Sequence, residues 1–425
     1  MRSLILGMLV ACGGSGTKDG DTGASPGTST DDSPPEWYGE VDAVVSTHCT
    51  RCHDGVGIGA GDFTDYATAA AMADRMLARI EAGDMPPPAA DPECTPYLDS
   101  DHMVLTDEET AVLTAWTAAG TPEGDPAAAS PDARPTDTLA DPDVSTLIAG
   151  PYTPSYTDFD NEYRCFVLDW SPDDDTFLTA IEPLIDTHAV SHHSVLFLDT
   201  RGTSDGYITD PATKSWDCPE VVPDNSWGMA YAWAPGNNPI RFADGHGMRV
   251  RGGTKLVLQM HYYRSSPAAD GISDMPGYRL ETASSVDDEV FLVGLGPDRF
   301  TIPAGEEAYP VSAMYPMRDM FGSSGKIHGV FPHMHVLGSA YRFWVEKKAG
   351  SETCVAEAEK YDFANQPTYW FDKPVNVPED ASIGVECVYN NSRSNPQLIH
   401  DPPIDVSYGE RTDQEMCFAL MYMTF

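Results

Sequence analysis

Apolar positions follow two different rules along this chain. The stretch Leu105-Thr106-Asp107-Glu108-Glu109 sets a Thr where a helix N-cap belongs and acids in the first turn. Val112, Leu113 and Trp116 then continue at helical spacing, which predicts a helix ending near Gly120. From about residue 150 the rule changes to short apolar and β-branched runs separated by Gly, Pro and Asp clusters. Tyr163–Val167, Ser194–Leu198, Thr254–Tyr263, Tyr341–Val345, Ile383–Tyr389 and Met416–Phe425 read as strands of one or two antiparallel sandwiches. Between the two regimes, residues 121–148 are rich in Pro, Ala and Asp without periodicity and read as an interdomain linker.

Composition narrows the partners. The 425 residues carry 25 Lys+Arg against 66 Asp+Glu, a formal charge of −41, so a nucleic-acid phosphate backbone would be repelled by most of the surface. A hydrophobic content of 41% is enough for packed cores, and the length suggests two to four domains. The acidic runs Asp173-Asp174-Asp175 and Asp287-Asp288-Glu289 read as solvated turns, with a calcium site as the alternative.

The N-terminus, MRSLILGMLVAC, is too short an apolar run to span a bilayer. Its basic start and the Leu9-Val10-Ala11-Cys12 sequence resemble a bacterial lipoprotein signal with its lipobox; the alternative is an ordinary cytosolic start. The resemblance implies that Cys12 is lipidated and anchors an exported protein, on the periplasmic face of the outer membrane or the cell surface. Residues 1–12 are then signal and lipobox, and residues 13–36, rich in Gly, Ser, Thr, Asp and Pro, a flexible tether. Eight further cysteines remain, an even number that permits disulfides in an exported chain.

Cys49-Thr50-Arg51-Cys52-His53 is a C-x-x-C-H motif. Two thiols at this spacing can add to the vinyl groups of a haem while the following imidazole binds its iron; a zinc site is the alternative use. About thirty residues on, Ile80-Glu81-Ala82-Gly83-Asp84-Met85-Pro86-Pro87 resembles the loop of small bacterial cytochromes c whose Met is the second axial ligand. That resemblance implies a small all-α haem domain over residues 37–120, with Cys49, Cys52, His53 and Met85 holding one covalently attached haem c. Met85 as an ordinary loop residue is the plainer reading, and His102-Met103 is a rival axial site in a polar stretch where His102 is expected to be solvated.

The remaining histidines fall on strands. His333-Met334-His335 places two imidazoles at i and i+2, on one face of a strand, where they can share a metal. His192 and His193 would point to opposite faces unless the strand is twisted or bulged. His261 sits in Leu256-Val257-Leu258-Gln259-Met260-His261-Tyr262-Tyr263. Core or surface histidines are the plain alternative for all five. His328, five residues before His333, reads as structural, with a further or replacement metal ligand as the alternative, and His188, His246 and His400 carry no assignment.

In order, Tyr163-Arg164-Cys165, His192-His193, Tyr231-Ala232-Trp233-Ala234, Gly247-Met248-Arg249-Val250, Leu258-Gln259-Met260-His261-Tyr262, His333-Met334-His335 and Asp413-Gln414-Glu415-Met416-Cys417 resemble the copper type II, ascorbate-dependent monooxygenases. The resemblance runs from about 150 to 425. It implies two tandem antiparallel, jelly-roll-like β sandwiches, residues 149–300 and 301–425, each with one of two copper ions. His192, His193 and His261 would hold the first. His333, His335 and Met416 would hold the second, where O2 is activated to attack a substrate C–H bond, a division that suits thioether sulfur's preference for cuprous copper. Met416 as a core residue among Met421 and Met423 is the plainer reading.

The same resemblance implies disulfides Cys165–Cys218 and Cys387–Cys417. Cys94 and Cys354, without counterparts in the family, are expected to pair and clamp the haem domain onto the second sandwich. Peptide-hydroxylating members carry polar substrate contacts where this chain has Phe331, Phe418 and Leu420, so the expected substrate is a small neutral or apolar molecule. Electrons are expected from a one-electron donor, ascorbate or a redox protein, passing through the haem into the His192/His193/His261 site. The competing reading is a haem and copper electron-transfer or copper-binding surface lipoprotein without hydroxylase activity.

Overall fold

The computed structural model describes residues 33–425 apart from 56–58, 132–137, 157–160, 219–223, 225, 235–238, 265–268, 349 and 410. Cys12 and the lipobox lie outside the described residues. No helix among them is long and apolar enough to cross a membrane.

Residues 37–118 carry α1 (Asp42–His48), α2 (Tyr66–Glu81), α3 (Ser100–Met103) and α4 (Asp107–Ala118). The expected helix start is present as a reciprocal capping box between Thr106 and Glu109, which satisfies backbone N–H groups that the first turn cannot pair. Asp65 caps α2 by accepting from Thr68 N at 2.9 Å. Trp37, Val41, Val45, Phe63, Ala69, Leu113 and Trp116 form a core of this segment's own.

The first sandwich is built from β1 (Val144–Leu147), β2 (Asn161–Val167), β3 (Thr176–Leu184), β4 (Ser191–Asp199), β5 (Ser215–Asp217), β6 (Gly228–Trp233), β7 (Ile240–Arg241), β8 (His246–Val250), β9 (Lys255–Tyr263), β10 (Gly277–Ala283) and β11 (Asp288–Glu289). One sheet runs β1-β10-β3-β8-β11 with β7 on β3, and the other runs β5-β2-β9-β4-β6. The second sandwich uses β12 (Phe291–Leu295), β13 (Thr301–Ile302), β14 (Tyr309–Pro316), β15 (Gly325–His333), β16 (Gly338–Glu346), β17 (Glu352–Ala358), β18 (Tyr369–Val377), β19 (Ser382–Tyr389), β20 (Val406–Ser407) and β21 (Phe418–Thr424). Its sheets run β12-β21-β15-β18 and β14-β19-β16-β17, with β13 paired to β20.

The element boundaries depart from the expected division. β1 lies within residues read as linker and pairs with β10, because Val144 and Thr146 have ladder partners there. Leu139 is buried, with its N–H donated to Glu182, so the end of that segment belongs to the first sandwich. Its beginning folds back on the helical segment, where Trp37 N and Tyr38 N donate to Pro122 O and Glu123 O. β12 pairs with β21, so the second sandwich begins before residue 301. The acidic runs serve as anchors: Arg249 bonds Asp175 at 3.2 Å and Glu289 at 3.1 Å.

Alternation along the strands decides what the two sandwiches show each other. On β9, Leu256, Leu258, Met260 and Tyr262 enter the first core, leaving Val257, Gln259 and His261 on the opposite face. On β21, Ala419, Met421 and Met423 enter the second core, leaving Phe418 and Leu420 opposite. Those two outward faces confront each other. Tyr422 crosses the joint to pack in the first sandwich's core against Phe242, and His328 stacks edge-on to His246 at 5.1 Å.

Residues 89–98 leave the helical segment and lie on the second sandwich. Ala90 and Tyr97 are buried in its core, Asp91 N donates to Glu357 O at 2.8 Å and Leu98 N to Trp370 O at 2.7 Å. The disulfide Cys94–Cys354 closes this strap, as expected, and Cys165–Cys218 and Cys387–Cys417 are also formed.

Cys94→Ser should lower stability by about 2–5 kcal/mol, since the bond closes a very long loop; denaturant unfolding of the oxidised protein measures this. A second prediction concerns His328. Burial, His246 and Lys326 lower its pKa from 6.5 to about 4, with Asp288 pulling the other way. The unfolded chain therefore binds the proton first, and the contribution of this group to stability is full above 6.5 and is lost as pH falls towards 4. Thermal unfolding between these limits should lose part of its pH slope in His328→Asn.

Candidate active site

His192, His193 and His261 converge because β4 breaks its own register. The pairing of β4 with β9 shifts between Ser191 and His193, and this irregularity lets both neighbouring histidines approach His261. One nitrogen from each ring lies within 4.8 Å of the others, a grouping that can hold a metal ion. His192 Nδ1 is 3.3 Å from His261 Nδ1. His261 donates from Nε2 to Asn161 Oδ1 at 2.7 Å, which leaves Nδ1 as its bare nitrogen. Tyr163 stacks flat on the His261 ring at 4.2 Å. His193 Nε2 is buried without a hydrogen-bond partner, an orphan that a metal would relieve. Burial holds His193 and His261 well below the usual imidazole range and His192 down to about 4, so all three are neutral.

His333 ends β15, and His335 lies beyond the strand. The expectation of one continuous strand face is corrected here. Met334 N and O are both bonded to Tyr361 Oη, at 3.1 and 2.7 Å, so the backbone leaves the ladder between the histidines. The rings still converge, 5.2 Å apart. His333 donates from Nδ1 to Gln366 Oε1 at 2.8 Å and His335 from Nδ1 to Gln414 O at 3.0 Å, leaving both Nε2 atoms bare. Met416 is also off its expected strand: β21 starts at Phe418. The cause is Glu415, wholly buried, whose carboxylate accepts from His335 N at 2.9 Å, Leu337 N at 2.7 Å and Met416 N at 3.3 Å. Burial pushes this carboxyl up to about 8 against the pull of those three N–H groups. Tyr389 Oη donates to Met416 O at 2.6 Å, and the neighbouring Cys417 is bridged to Cys387.

Both clusters open onto one cavity of about 280 Å³ between the sandwiches, whose lining includes His193, His261, His333, His335 and Met416. Phe331, Phe418 and Leu420 form part of its wall, with Val195, Phe197 and Met229 across from them. Among the described residues, no Asp, Glu, Lys or Arg lines it. The Phe363 ring lies 6.1 Å from both His193 and His335.

A second cavity, about 730 Å³, is lined by Cys49, Cys52, His53, Met85, Pro86, Pro87 and Pro88. Cys49 and Cys52 are unbridged, and burial pushes the Cys49 thiol up to about 12. His53 donates from Nδ1 to Ala60 O at 2.9 Å and stacks on Phe63, leaving Nε2 bare. Arg51 lines the same cavity with one guanidinium nitrogen buried and unpartnered. His102 and Met103 line it as well, and His102 is bonded to Thr47 O at 3.1 Å, so it is not simply solvated. Among the described residues no metal-ligand group of three forms around Cys49 and Cys52, which removes support from the zinc alternative.

Residues 286–425 match the family described as copper type II ascorbate-dependent monooxygenase, C-terminal domain. That match supports this copper-dependent monooxygenase family. It spans the second sandwich and so covers His333, His335 and Met416. No curated protein matches the chain. Solved structures with some likeness include the infectious bursal disease virus VP2 subviral particle, at 13% identity over 69% of this chain and 74% of that one, TM-score 0.19. A putative secreted protein from Eubacterium rectale shares 10% over 64% and 71%, TM-score 0.19. The empty particle of cowpea mosaic virus shares 10% over 69% and 94%, TM-score 0.25. At these scores the likenesses carry no argument.

Asn161, Gln366, Gln414, Glu415, Tyr361 and Phe363 were given no role from the sequence. Gln414 and Glu415 stand beside Met416 in a motif already singled out, and Asn161 stands two residues before the Tyr163–Val167 run, which were the available signals; Tyr361, Phe363 and Gln366 sit in a segment without periodicity. Glu415→Ala should strand buried N–H groups and cost about 3 kcal/mol or more, from about 1–3 kcal/mol for each unsatisfied group. It should also weaken copper binding about 10–100-fold, as loss of groups that orient ligands does. Chemical denaturation and copper titration report these separately.

Proposed function

We propose that this protein is a copper monooxygenase that hydroxylates a C–H bond of a small, neutral, apolar substrate with O2, using electrons delivered through its own c-type haem. The observation that carries this reading is the pair of ligand clusters facing one uncharged cavity. The donor sets fit copper: three neutral imidazoles on one side, two imidazoles and a thioether on the other. Bound there, copper would supply one-electron redox chemistry and O2 activation.

The protein's own groups do the rest. Asn161, Gln366 and the Gln414 carbonyl fix which nitrogen of His261, His333 and His335 faces the cavity. Phe331, Phe418, Leu420, Val195 and Phe197 exclude water and offer an apolar wall. A substrate ammonium would find no carboxylate among the described lining residues and would face the copper charge, and a substrate carboxylate would find no Lys or Arg to hold it.

Cys49, Cys52, His53 and Met85 share a cavity with a half-buried cation at Arg51, a set suited to a covalently attached haem with anionic side groups. The three disulfides support an oxidising compartment, the setting that export and lipid anchoring at Cys12 would provide. A basic or small one-electron donor suits the −41 surface.

Protein expressed with export and haem attachment should contain two copper ions and one covalent haem per chain, by metal analysis and absorbance. With reductant and an apolar substrate it should consume O2 and form hydroxylated product. Met416→Ala should abolish product while leaving the haem spectrum unchanged. Metal-loaded protein that forms no product across neutral apolar substrates would favour the electron-transfer reading.

A further inference from the structure

One short segment contributes to the walls of both cavities. Tyr361, Asp362 and Asn365 line the larger one, whereas Phe363 and Gln366 line the one between the sandwiches. The segment is held rigidly. Asp362 caps its own turn by accepting from Ala364 N at 2.9 Å, Asn365 N donates to Asp362 O at 3.0 Å, and Gln366 Nε2 donates to Phe363 O at 2.9 Å. Tyr361 clamps Met334 between the two cavity-facing histidines. Lys360 bonds Ala82 O in the turn that leads to Met85.

Two neighbouring side chains complete the connection. Asn365 Nδ2 donates to Pro88 O at 3.5 Å, three residues beyond Met85, and Gln366 Oε1 accepts from His333 Nδ1 at 2.8 Å. The loop carrying Met85 is thus joined to an imidazole of the second cluster through two hydrogen bonds and one dipeptide. Resting on the haem and copper reading above, we infer that Asn365-Gln366 is the coupling element through which the haem segment serves the His333/His335/Met416 site directly. This entry stands as the alternative to the expected one at His192/His193/His261.

The step is a one-electron exchange. A haem held by Cys49, Cys52, His53 and Met85 would give up one electron to cupric copper held by His333, His335 and Met416, with no bond or proton moved, and an external one-electron donor would re-reduce the haem. A competing way in exists on the other side. His188 feels the charge of Asp54, next to His53, and its ring lies 6.1 Å from Trp233, which lines the inter-sandwich cavity. Gln366 and Asn365 are positioning residues in this scheme, and neither is itself a metal ligand.

The test uses full-length protein carrying haem and cupric copper, deaerated, with the haem reduced by a photoexcited flavin and its reoxidation followed by absorbance. Freeze-quench EPR reads the cupric signals. The wild type should show a fast phase of haem reoxidation that coincides with loss of the signal missing from His333→Ala. Asn365→Ala should slow that phase with haem spectrum and copper content unchanged, and His333→Ala should lose it. Asn365→Ala leaves every bond to His333 in place, so its effect cannot be a disturbed ligand. Unchanged kinetics in Asn365→Ala, no fast phase in the wild type, or first loss of the signal missing from His193→Ala would overturn the inference while leaving the haem reading intact. Absence of a covalent haem band would overturn both.

Discussion

Everything at the second cluster hangs on a buried carboxylate. Glu415 sits in a wholly desolvated position and accepts three backbone N–H groups drawn from two chain segments that have just left their ladders, Met334–Leu337 and Glu415–Met416. Without it those donors would be unpaired in a dry interior, at a cost comparable to several ordinary hydrogen bonds. With it, a strand end and a strand start are tied at the one place where both must bend. The side chains that bend inward are His335 and Met416.

That local solution depends on how the sandwiches present themselves. Each has a conventional core on one side of its inner sheet, and the leftover faces, carrying Gln259 and His261 on one side and Phe331, Phe418 and Leu420 on the other, meet across a gap. Tyr422 shows how the gap is set: it lies on the same outward face as Leu420 yet is buried in the first sandwich's core, so it pins the sheets together at one end and leaves the other open. The cavity is a consequence of incomplete closure. Its apolar wall follows from period-two alternation on strands whose other face is already full.

Much of this was legible in the sequence. Period-two runs placed β2, β9, β16 and β19 within a few residues, the Thr106/Glu109 cap placed α4, and the five histidines that the fold gathers into two clusters were singled out. The bulge at His192 followed from the requirement that adjacent histidines share one ion. What was not legible is non-local. The departure of His335 and Met416 from their strands is caused by Glu415 and Tyr361, which lie far from the histidines in sequence. The burial of Leu139 and the pairing of Val144–Leu147 were hidden because Pro- and Asp-rich composition outweighs one short strand. Phe363 and Gln366 lie in an aperiodic turn, where neither patterning nor spacing marks a residue.

The strap at residues 89–98 changes how the helical segment works. A flexible linker would set its effective concentration near its partner by length and stiffness. Here the segment is held by a disulfide, by Ala90 and Tyr97 in the partner's core, and by main-chain bonds on both sides of Cys94. Linker length therefore ceases to be the governing variable. Residues 121–131 fold onto the helical segment and residues 138–148 onto the first sandwich. On the proposal above, a docked donor would gain proximity and lose the freedom to choose its site by diffusion, so the side chains at the contact, Lys360, Tyr361, Asn365 and Gln366 among them, would decide which metal cluster it serves.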